Sequence, residues 1–170
     1  RSEYLFPNIA GGLPDEDAQF NAYERVARAC APDGVRIRAF DLHVDQITYL
    51  AENRETNPAL GLRAIRLSLA DEKRFREQIR AILRANSRGN VSIVFPMISG
   101  VDDILKARNL IAEEKRLLAD GGLPLPELPV GAMIEVPAAV LTIESIVKHV
   151  DFICLGTNDL VQYLLAADRD

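Results

Sequence analysis

The sequence Val130-Gly131-Ala132-Met133-Ile134-Glu135 predicts a β-strand that ends in a carboxylate. A second apolar segment, Phe152-Ile153-Cys154-Leu155-Gly156-Thr157-Asn158-Asp159, ends in the same way. Both segments are apolar almost throughout, which is typical of parallel strands covered on two faces. Residues 138–150 between them predict a helix, because apolar residues recur there at helical spacing: Val140, Ile143, Ile146 and Val147. The stretch therefore predicts a strand–helix–strand unit of an α/β protein.

Glu135 and Asp159 end neighbouring strands in this prediction. Neighbouring strands lie about 4.8 Å apart, so the two carboxylates can converge on one hard cation. Mg²⁺ is the natural candidate and Mn²⁺ a second one, because one or two carboxylates usually hold Mg²⁺ while water and a substrate phosphate or carboxylate complete its octahedron. An acid just past a strand is also a common N-cap of the next helix, and these residues alone leave both interpretations open.

The composition, with 48% hydrophobic and 26% charged residues among 170, is that of a soluble globular domain. A net charge of −5 and a pI near 5.1 argue against a nucleic-acid surface. No apolar run reaches the roughly 18 residues of a spanning helix and no signal peptide follows Arg1, so we expect no membrane contact and a cytoplasmic location. Because the first residue is not Met, we expect part of a longer chain, or a processed one.

The two cysteines, Cys30 and Cys154, form no metal-spaced or redox pair. We expect both to be reduced packing residues, with Cys30 near a helix end and Cys154 in a buried strand.

Four strands alternate with helices along the chain, at residues 35–40, 91–96, 130–135 and 152–156. The helices are expected from Pro14-Asp15 onward, over 71–86, after a capping-box-like start at Ser99 and Asp102, and over 160–167. Residues 42–61 are expected to be mostly loop, a length that favours a functional or mobile connection.

Chemistry-bearing residues cluster at the ends of these strands: Arg38, Asp41, Glu135, Asn158 and Asp159. Open α/β sheets and β/α barrels both place their sites on that carboxyl edge. A dinucleotide fold would need a glycine-rich turn after its first strand, and neither that turn nor a P-loop is present in the sequence. The pattern therefore favours a barrel.

Five motifs stand out along the chain: Arg1-Ser2-Glu3-Tyr4-Leu5-Phe6, residues 57–66 (NPALGLRAIR), Phe95-Pro96-Met97-Ile98, residues 134–139 (IEVPAA), and residues 156–163 (GTNDLVQY) with Ala167-Asp168-Arg169. In this order they resemble the phosphoenolpyruvate-binding barrel of enzyme I of the bacterial phosphotransferase system. The resemblance covers nearly the whole chain and implies an incomplete part, the middle strands, of a (β/α)8 TIM barrel of the phosphoenolpyruvate/pyruvate type, as one domain over 1–170.

By this resemblance Glu135 and Asp159 hold Mg²⁺. The phosphate and carboxylate of phosphoenolpyruvate are surrounded by five residues: Arg1, Arg38, Arg63, Asn158 and Arg169. These residue types suit phosphoryl transfer, which depends on positioning and on neutralising charge on the transferred group. Taken without the resemblance, Arg63 is ambiguous, because an arginine near the start of a helix is more often a solvated surface residue.

The chain departs from the family in three places. The family's loop after its strand arginine contains two glycines and a lysine, and Asp41-Leu42-His43-Val44-Asp45-Gln46 has lost all three. The family's phosphoryl-accepting histidine belongs to a separate N-terminal domain, and neither His43 nor His149 matches its motif. The family's cysteine acid lies beyond Asp170, so the resemblance implies no catalytic residue within this chain.

The leading hypothesis is an enzyme I-like phosphotransferase that passes phosphate from phosphoenolpyruvate to a histidine and on to a histidine-containing phosphocarrier protein of the sugar phosphotransferase system. Alternatives are a pyruvate phosphate dikinase or phosphoenolpyruvate synthase, a Mg²⁺-dependent lyase of the citrate lyase β or aldolase type, and a non-catalytic paralogue that senses phosphoenolpyruvate. His43-Val44, in place of the glycine pair, is the main support for the last. Because four strands cannot close a barrel, we also expect self-association, with a homodimer as its simplest form.

Overall fold

A computed structural model of the protein describes residues 1–6, 12–42, 56–123 and 125–167. Its centre is a parallel sheet of four strands, β1 (Val35–Arg38), β2 (Val91–Phe95), β3 (Val130–Ile134) and β4 (Phe152–Leu155). These are the four predicted strands, each ending one or two residues earlier than expected. The sheet order is β1-β2-β3-β4, so every strand pairs with its neighbour in sequence.

This order identifies the fold class. A doubly wound dinucleotide fold changes direction within its sheet, as in the order 3-2-1-4-5-6, whereas successive strands of a barrel lie side by side. The described strands all run parallel in chain order, and helices occupy the connections between them. The fold is therefore an α/β half-barrel, an incomplete form of the TIM-type barrel that the sequence predicted.

Seven α-helices are described. α1 begins after Asp15, whose carboxylate accepts a hydrogen bond of 2.8 Å from the Ala18 amide and so caps the helix as Pro14-Asp15 predicted. The helices are α1 (Glu16–Ala29), α2 (Ala64–Ala70), α3 (Glu72–Ala85), α4 (Val101–Asp120), α5 (Pro137–Leu141), α6 (Ile143–Ile146) and α7 (Thr157–Leu165); short 3-10 turns cover Ser2–Leu5, Pro58–Leu60 and Asn86–Arg88. No described helix is both long and apolar enough to cross a membrane.

Two local predictions are wrong. The start of α4 is not a capping box with Asp102, because the Ser99 amide and hydroxyl both donate to Asp103, at 3.0 and 2.8 Å, and the N-cap is Gly100. The helix expected over 138–150 is two short helices, interrupted at Thr142, whose hydroxyl donates to the Ala138 carbonyl at 2.8 Å.

The predicted apolar face of that helix is consequently divided. Val140 and Val147 are 40% and 47% exposed, whereas Ile146 is fully buried. A break changes the rotation of the residues that follow it, so a single helical period cannot apply across Thr142.

The main core lies between the sheet and helices α1, α3 and α4, and its largest fully buried side chains include Tyr23, Phe95 and Ile79. β4 is one of the two edge strands of the described sheet, together with β1, and it pairs with β3. Ile153 and Leu155 are 40% and 66% exposed, and Cys154 is half-buried. The expectation that Cys154 lies in a buried strand is therefore wrong, while both cysteines are free thiols as expected.

Candidate active site

Glu135 follows β3 and is almost completely buried, at 1% exposure. Its Oε1 accepts a hydrogen bond of 2.7 Å from the Met97 amide, in the turn after β2. Gly156, after β4, lies so close that a Cβ on it would overlap the Glu135 carboxylate. Burial raises the pKa of Glu135, and the charges of Asp159 and Asp41 add to this effect against the opposing Met97 hydrogen bond.

Asp159 lies in the first turn of α7 and is 6% exposed. Its Oδ1 is 3.5 Å from Nη1 of Arg63, and its charge acts on Glu135. The two predicted metal ligands are therefore both buried and in electrostatic contact at the carboxyl edge of the sheet. The neighbouring Asn158 is exposed.

Arg63 is 4% exposed and immediately precedes α2. Its guanidinium group forms a bidentate pair with Asp41, with Nε–Oδ1 at 3.1 Å, Nη2–Oδ1 at 2.9 Å and Nη2–Oδ2 at 3.0 Å. Nη1 donates to Asp159 and, at 3.2 Å, to the hydroxyl of Tyr163. The interpretation of Arg63 as a solvated surface residue is therefore wrong. Through its ion pairs with Asp41 and Asp159, Arg63 links the segment that follows β1 to the segment that follows β4.

Arg38 is the last residue of β1 and is 8% exposed. Its Nη2 pairs with Glu3 and its Nη1 donates to Asp41 at 3.1 Å, so Asp41 bridges Arg38 and Arg63. The Arg38 Nε is buried and has no hydrogen-bond partner within the described residues. A buried donor without an acceptor is energetically costly.

Arg1 lies farther out on the surface. It is exposed, and Nη1 donates to the Tyr4 hydroxyl at 3.1 Å. This hydrogen bond raises the pKa of Arg1, to which the charges of Glu3 and Asp41 contribute. The structure thus brings together Arg38, Arg63, Glu135 and Asp159, with Arg1 and Asn158 at the exposed rim. Arg169 and the altered loop from His43 onward lie outside the described residues.

Three contributors to the site were absent from the predicted set. Glu3 pairs with Arg38, the Met97 amide binds Glu135, and the Tyr163 hydroxyl contacts Arg63. All three lie within motifs of the sequence, and Tyr163 is four residues after Asp159, so both belong to one face of α7. That spacing was the available signal for Tyr163. The sequence contains no signal for the Met97 amide, because every residue except proline has a backbone amide.

Backbone strain accompanies this site. Non-glycine residues rarely adopt positive φ, which typically costs on the order of 1–3 kcal/mol and is often found at functional sites. Met97 has φ of 58° and donates its amide to Glu135, while Ala64, next to Arg63, has φ of 52°.

The donor set fits a hard divalent cation. Four carboxylates surround the two buried guanidinium groups: Glu3, Asp41, Glu135 and Asp159. A bound cation would offset this excess of negative charge and would lower the raised pKa of Glu135. Within the described residues, no group of three or more His, Cys, Asp or Glu side chains is arranged to hold a metal ion by itself.

Comparisons with known proteins identify the family of this chain. The family described as "PEP-utilising enzyme, PEP-binding domain" matches residues 1–170. A phosphoenolpyruvate-protein phosphotransferase from Bacillus subtilis is 42% identical over 171 residues, and one from Cupriavidus necator is 45% identical over 173 residues. Each match covers 99% of this chain, which spans 30% of the length of these relatives.

Among solved structures, a citrate lyase from Burkholderia xenovorans aligns with a TM-score of 0.52. The sequence identity is 21%, and the alignment covers 89% of this chain and 39% of that chain. At this identity the match supports the fold alone.

Proposed function

Because the chain belongs to the family of PEP-utilising enzymes, through their PEP-binding domain, we propose that residues 1–170 are part of a phosphoenolpyruvate-protein phosphotransferase. In this role the domain binds phosphoenolpyruvate and presents its phosphate for transfer. The observation that carries the proposal is the convergence of Arg38 and Arg63 with Glu135 and Asp159 at one edge of the sheet. One site thus combines guanidinium groups that can bind an anionic substrate with carboxylates that can bind a metal ion.

In the proposed site Glu135 and Asp159 hold Mg²⁺, which Mn²⁺ can replace. The metal when bound neutralises phosphate charge. The phosphate and carboxylate of the substrate are bound by five residues: Arg1, Arg38, Arg63, Asn158 and Arg169. The buried Nε of Arg38 supports this role, because a phosphate or carboxylate oxygen would satisfy it. Fixed guanidinium groups stabilise the charge on the transferred group without rearrangement.

The phosphoryl acceptor is proposed to be a histidine on another domain, from which phosphate passes to a histidine-containing phosphocarrier protein. His149 does not suit the acceptor role, because it precedes β4, at the amino end of the parallel strands, whereas the candidate site lies at their carboxyl end. His43 lies outside the described residues. We further propose a cytoplasmic homodimer in the sugar phosphotransferase system.

The test is phosphorylation of purified carrier protein by the complete natural protein with [³²P]phosphoenolpyruvate and Mg²⁺. Arg38→Met and Glu135→Gln are expected to lower kcat/KM by about a hundredfold or more, the scale of losing one fixed charge-stabilising group. Glu24→Gln, which removes an exposed ion pair with Arg28, is the matched control and should retain full activity. Residues 1–170 alone should show no turnover. Full activity of Arg38→Met and Glu135→Gln would exclude the proposed site.

A sensor of phosphoenolpyruvate is the second candidate, favoured by His43-Val44 in place of the family's glycine pair. Calorimetric titration of the complete protein with phosphoenolpyruvate separates the two functions. Binding that Arg38→Met abolishes, without transfer to any carrier protein, would establish the sensor and exclude the transferase.

A further inference from the structure

Gly156 is the single residue between β4 and α7. Its backbone, with φ of −94° and ψ of 74°, has a conformation that residues with side chains also adopt, so the dihedral angles do not require glycine. A Cβ at this position would overlap Oε2 of Glu135 and would lie 2.5 Å from the Cβ and 3.0 Å from the Cδ of the same residue. Glycine is therefore required at position 156 by the space that the Glu135 side chain occupies.

The Glu135 carboxylate lies between the main chains of both neighbouring strands. On the β2 side, its Oε1 accepts the hydrogen bond of 2.7 Å from the Met97 amide. On the β4 side, its Oε2 faces the position where Gly156 lacks a Cβ. With 1% of Glu135 exposed, the surroundings leave this side chain little space for another position. The backbone on either side thus determines where the carboxylate lies.

Gly156 is itself fixed by two hydrogen bonds. Its amide donates to the Ile134 carbonyl at 3.0 Å, and its carbonyl accepts from the Leu160 amide at 3.0 Å in the first turn of α7. Asp159 belongs to that turn. A side chain at position 156 would therefore displace Glu135, or the start of α7 together with Asp159. Either displacement changes the relative position of the two carboxylates.

We propose that Gly156 is a positioning residue whose missing side chain lets Glu135 and Asp159 approach closely enough to share one divalent cation. This inference rests on the proposed function, because it takes both carboxylates as metal ligands. Groups that orient metal ligands without binding the metal typically change metal affinity by about ten- to hundredfold. Gly156 would act in this way through the space it leaves open.

The test measures Mn²⁺ affinity by electron paramagnetic resonance, in the complete natural protein without phosphoenolpyruvate. Gly156→Ala should weaken Mn²⁺ binding about ten- to hundredfold. Gly131→Ala is the matched control, because it also places a Cβ against a side chain of the β3–β4 pair, the Phe152 ring, but at the amino end of β4. Gly131→Ala should lower thermal stability and leave Mn²⁺ affinity unchanged.

A second measurement needs no metal. Glu135→Gly removes the three atoms nearest to the added Cβ, so Gly156→Ala should lose most of its destabilising effect in that background. Urea denaturation of the two single variants and the double variant gives this coupling. If Gly156→Ala alone does not fold, the double variant decides. A double variant that also fails to fold, beside a folded Glu135→Gly, would show that another neighbour requires the glycine and would overturn the inference.

Wild-type Mn²⁺ binding with an unchanged Gly156→Ala affinity would overturn this inference and leave the proposed metal site intact. An equal loss of affinity in Gly131→Ala would also overturn it, because the loss would then come from general destabilisation. The same holds if Gly156→Ala destabilises the protein equally with and without the Glu135 side chain. Failure of the wild type to bind Mn²⁺ would overturn the metal site and this inference together.

Discussion

Two buried glutamates in this protein have opposite electrostatic environments. Glu135 lies among carboxylates, which together with burial raise its pKa, whereas Glu114 on α4 is bound by Arg76 and Arg80, which lower its pKa against the opposing effect of burial. Burial is similar, at 1% and 2% exposure, so the neighbouring charges decide the difference. The first environment suits a cation-binding site, and the second stabilises the fold.

We expect Glu135→Gln to stabilise the metal-free protein at pH 7. A raised folded-state pKa means that the stability contributed by Glu135 is fully present below its unfolded pKa of about 4.3 and is lost as the pH rises through the folded value. The gain from Gln should therefore vanish near pH 4. Urea denaturation at both pH values measures this, with Glu24→Gln as the exposed control. If Glu135→Gln were less stable than the wild type at pH 7, protein groups would already stabilise the negative charge of Glu135 without a metal.

Glu114→Gln should have the opposite effect. Glu114 accepts hydrogen bonds from Arg76 at 2.8 Å and from Arg80 at 3.0 Å, and losing charged hydrogen bonds of this kind costs about 1.5 to 3 kcal/mol. Its lowered pKa contributes stability above the unfolded pKa, which is lost as the pH falls through the folded value.

The measurement for Glu114→Gln is the free energy of unfolding at pH 7 and at pH 3, where the cost should shrink. Glu113→Gln is the matched control, since Glu113 also pairs with Arg76 but its side chain is 50% exposed, and the cost there should stay below about 1 kcal/mol. Equal effects of the two substitutions would contradict the role assigned to burial.

At the scale of elements, the pairing of β3 with β4 depends on one glycine. Gly131 is opposite Phe152 in the parallel register, and a Cβ on Gly131 would overlap the Phe152 ring. The Arg36 guanidinium also lies over this ring, 4.8 Å from its centroid. Glycine is therefore required at position 131 by the space that the aromatic side chain occupies.

Gly131→Ala should destabilise the protein by about 1 to 3 kcal/mol, as overpacking commonly does. Phe152→Ala in the same chain should remove most of that additional cost, because the three atoms nearest to the added Cβ all belong to Phe152. A double-mutant cycle in urea gives the coupling free energy. Gly34→Ala serves as the control, since a Cβ there meets only the Asn90 carbonyl at an ordinary 3.5 Å. Additive effects of Gly131→Ala and Phe152→Ala would show that the sheet yields elsewhere.

At the scale of the whole molecule, the half-barrel leaves one side uncovered. Ile153 and Leu155 on β4 are exposed, and so are Leu164 and Leu165 on α7, at 60% and 71%. A strand edge next to exposed apolar side chains favours pairing with another chain.

Residues 1–170 expressed alone should therefore self-associate or remain partly molten. Sedimentation velocity at micromolar concentration should give a dimer or larger species, and near-ultraviolet circular dichroism should distinguish this from loose packing. Leu155→Lys with Leu164→Lys is expected to shift the distribution toward monomer, because both charges enter the exposed apolar surface. A compact monomer of the unsubstituted chain would mean that the four-stranded sheet is stable by itself.

The sequence alone was enough to predict the four described strands, their order and their parallel direction, because continuous apolar runs separated by helices of the right length allow few other arrangements. It also placed Arg38, Glu135 and Asp159 at one edge, since parallel strands all end on the same side. The break at Thr142 and the exposure of Cys154 escaped prediction. Both features depend on which other segments pack against these residues. The hydrophobic periodicity of the sequence carries no information about those tertiary neighbours.

The pairing of the charged residues, by contrast, became visible only in the folded protein. Arg63 and Asp159 are 96 residues apart in sequence and 3.5 Å apart in space, and Asp41 bridges Arg38 at the end of β1 and Arg63 before α2. The amide that binds Glu135 comes from Met97 on the neighbouring turn, and the hydroxyl that meets Arg63 comes from α7. These contacts form where segments distant in sequence meet at the carboxyl edge of the sheet. The residue types could therefore indicate a site, but the hydrogen bonds within it could not be predicted from the sequence.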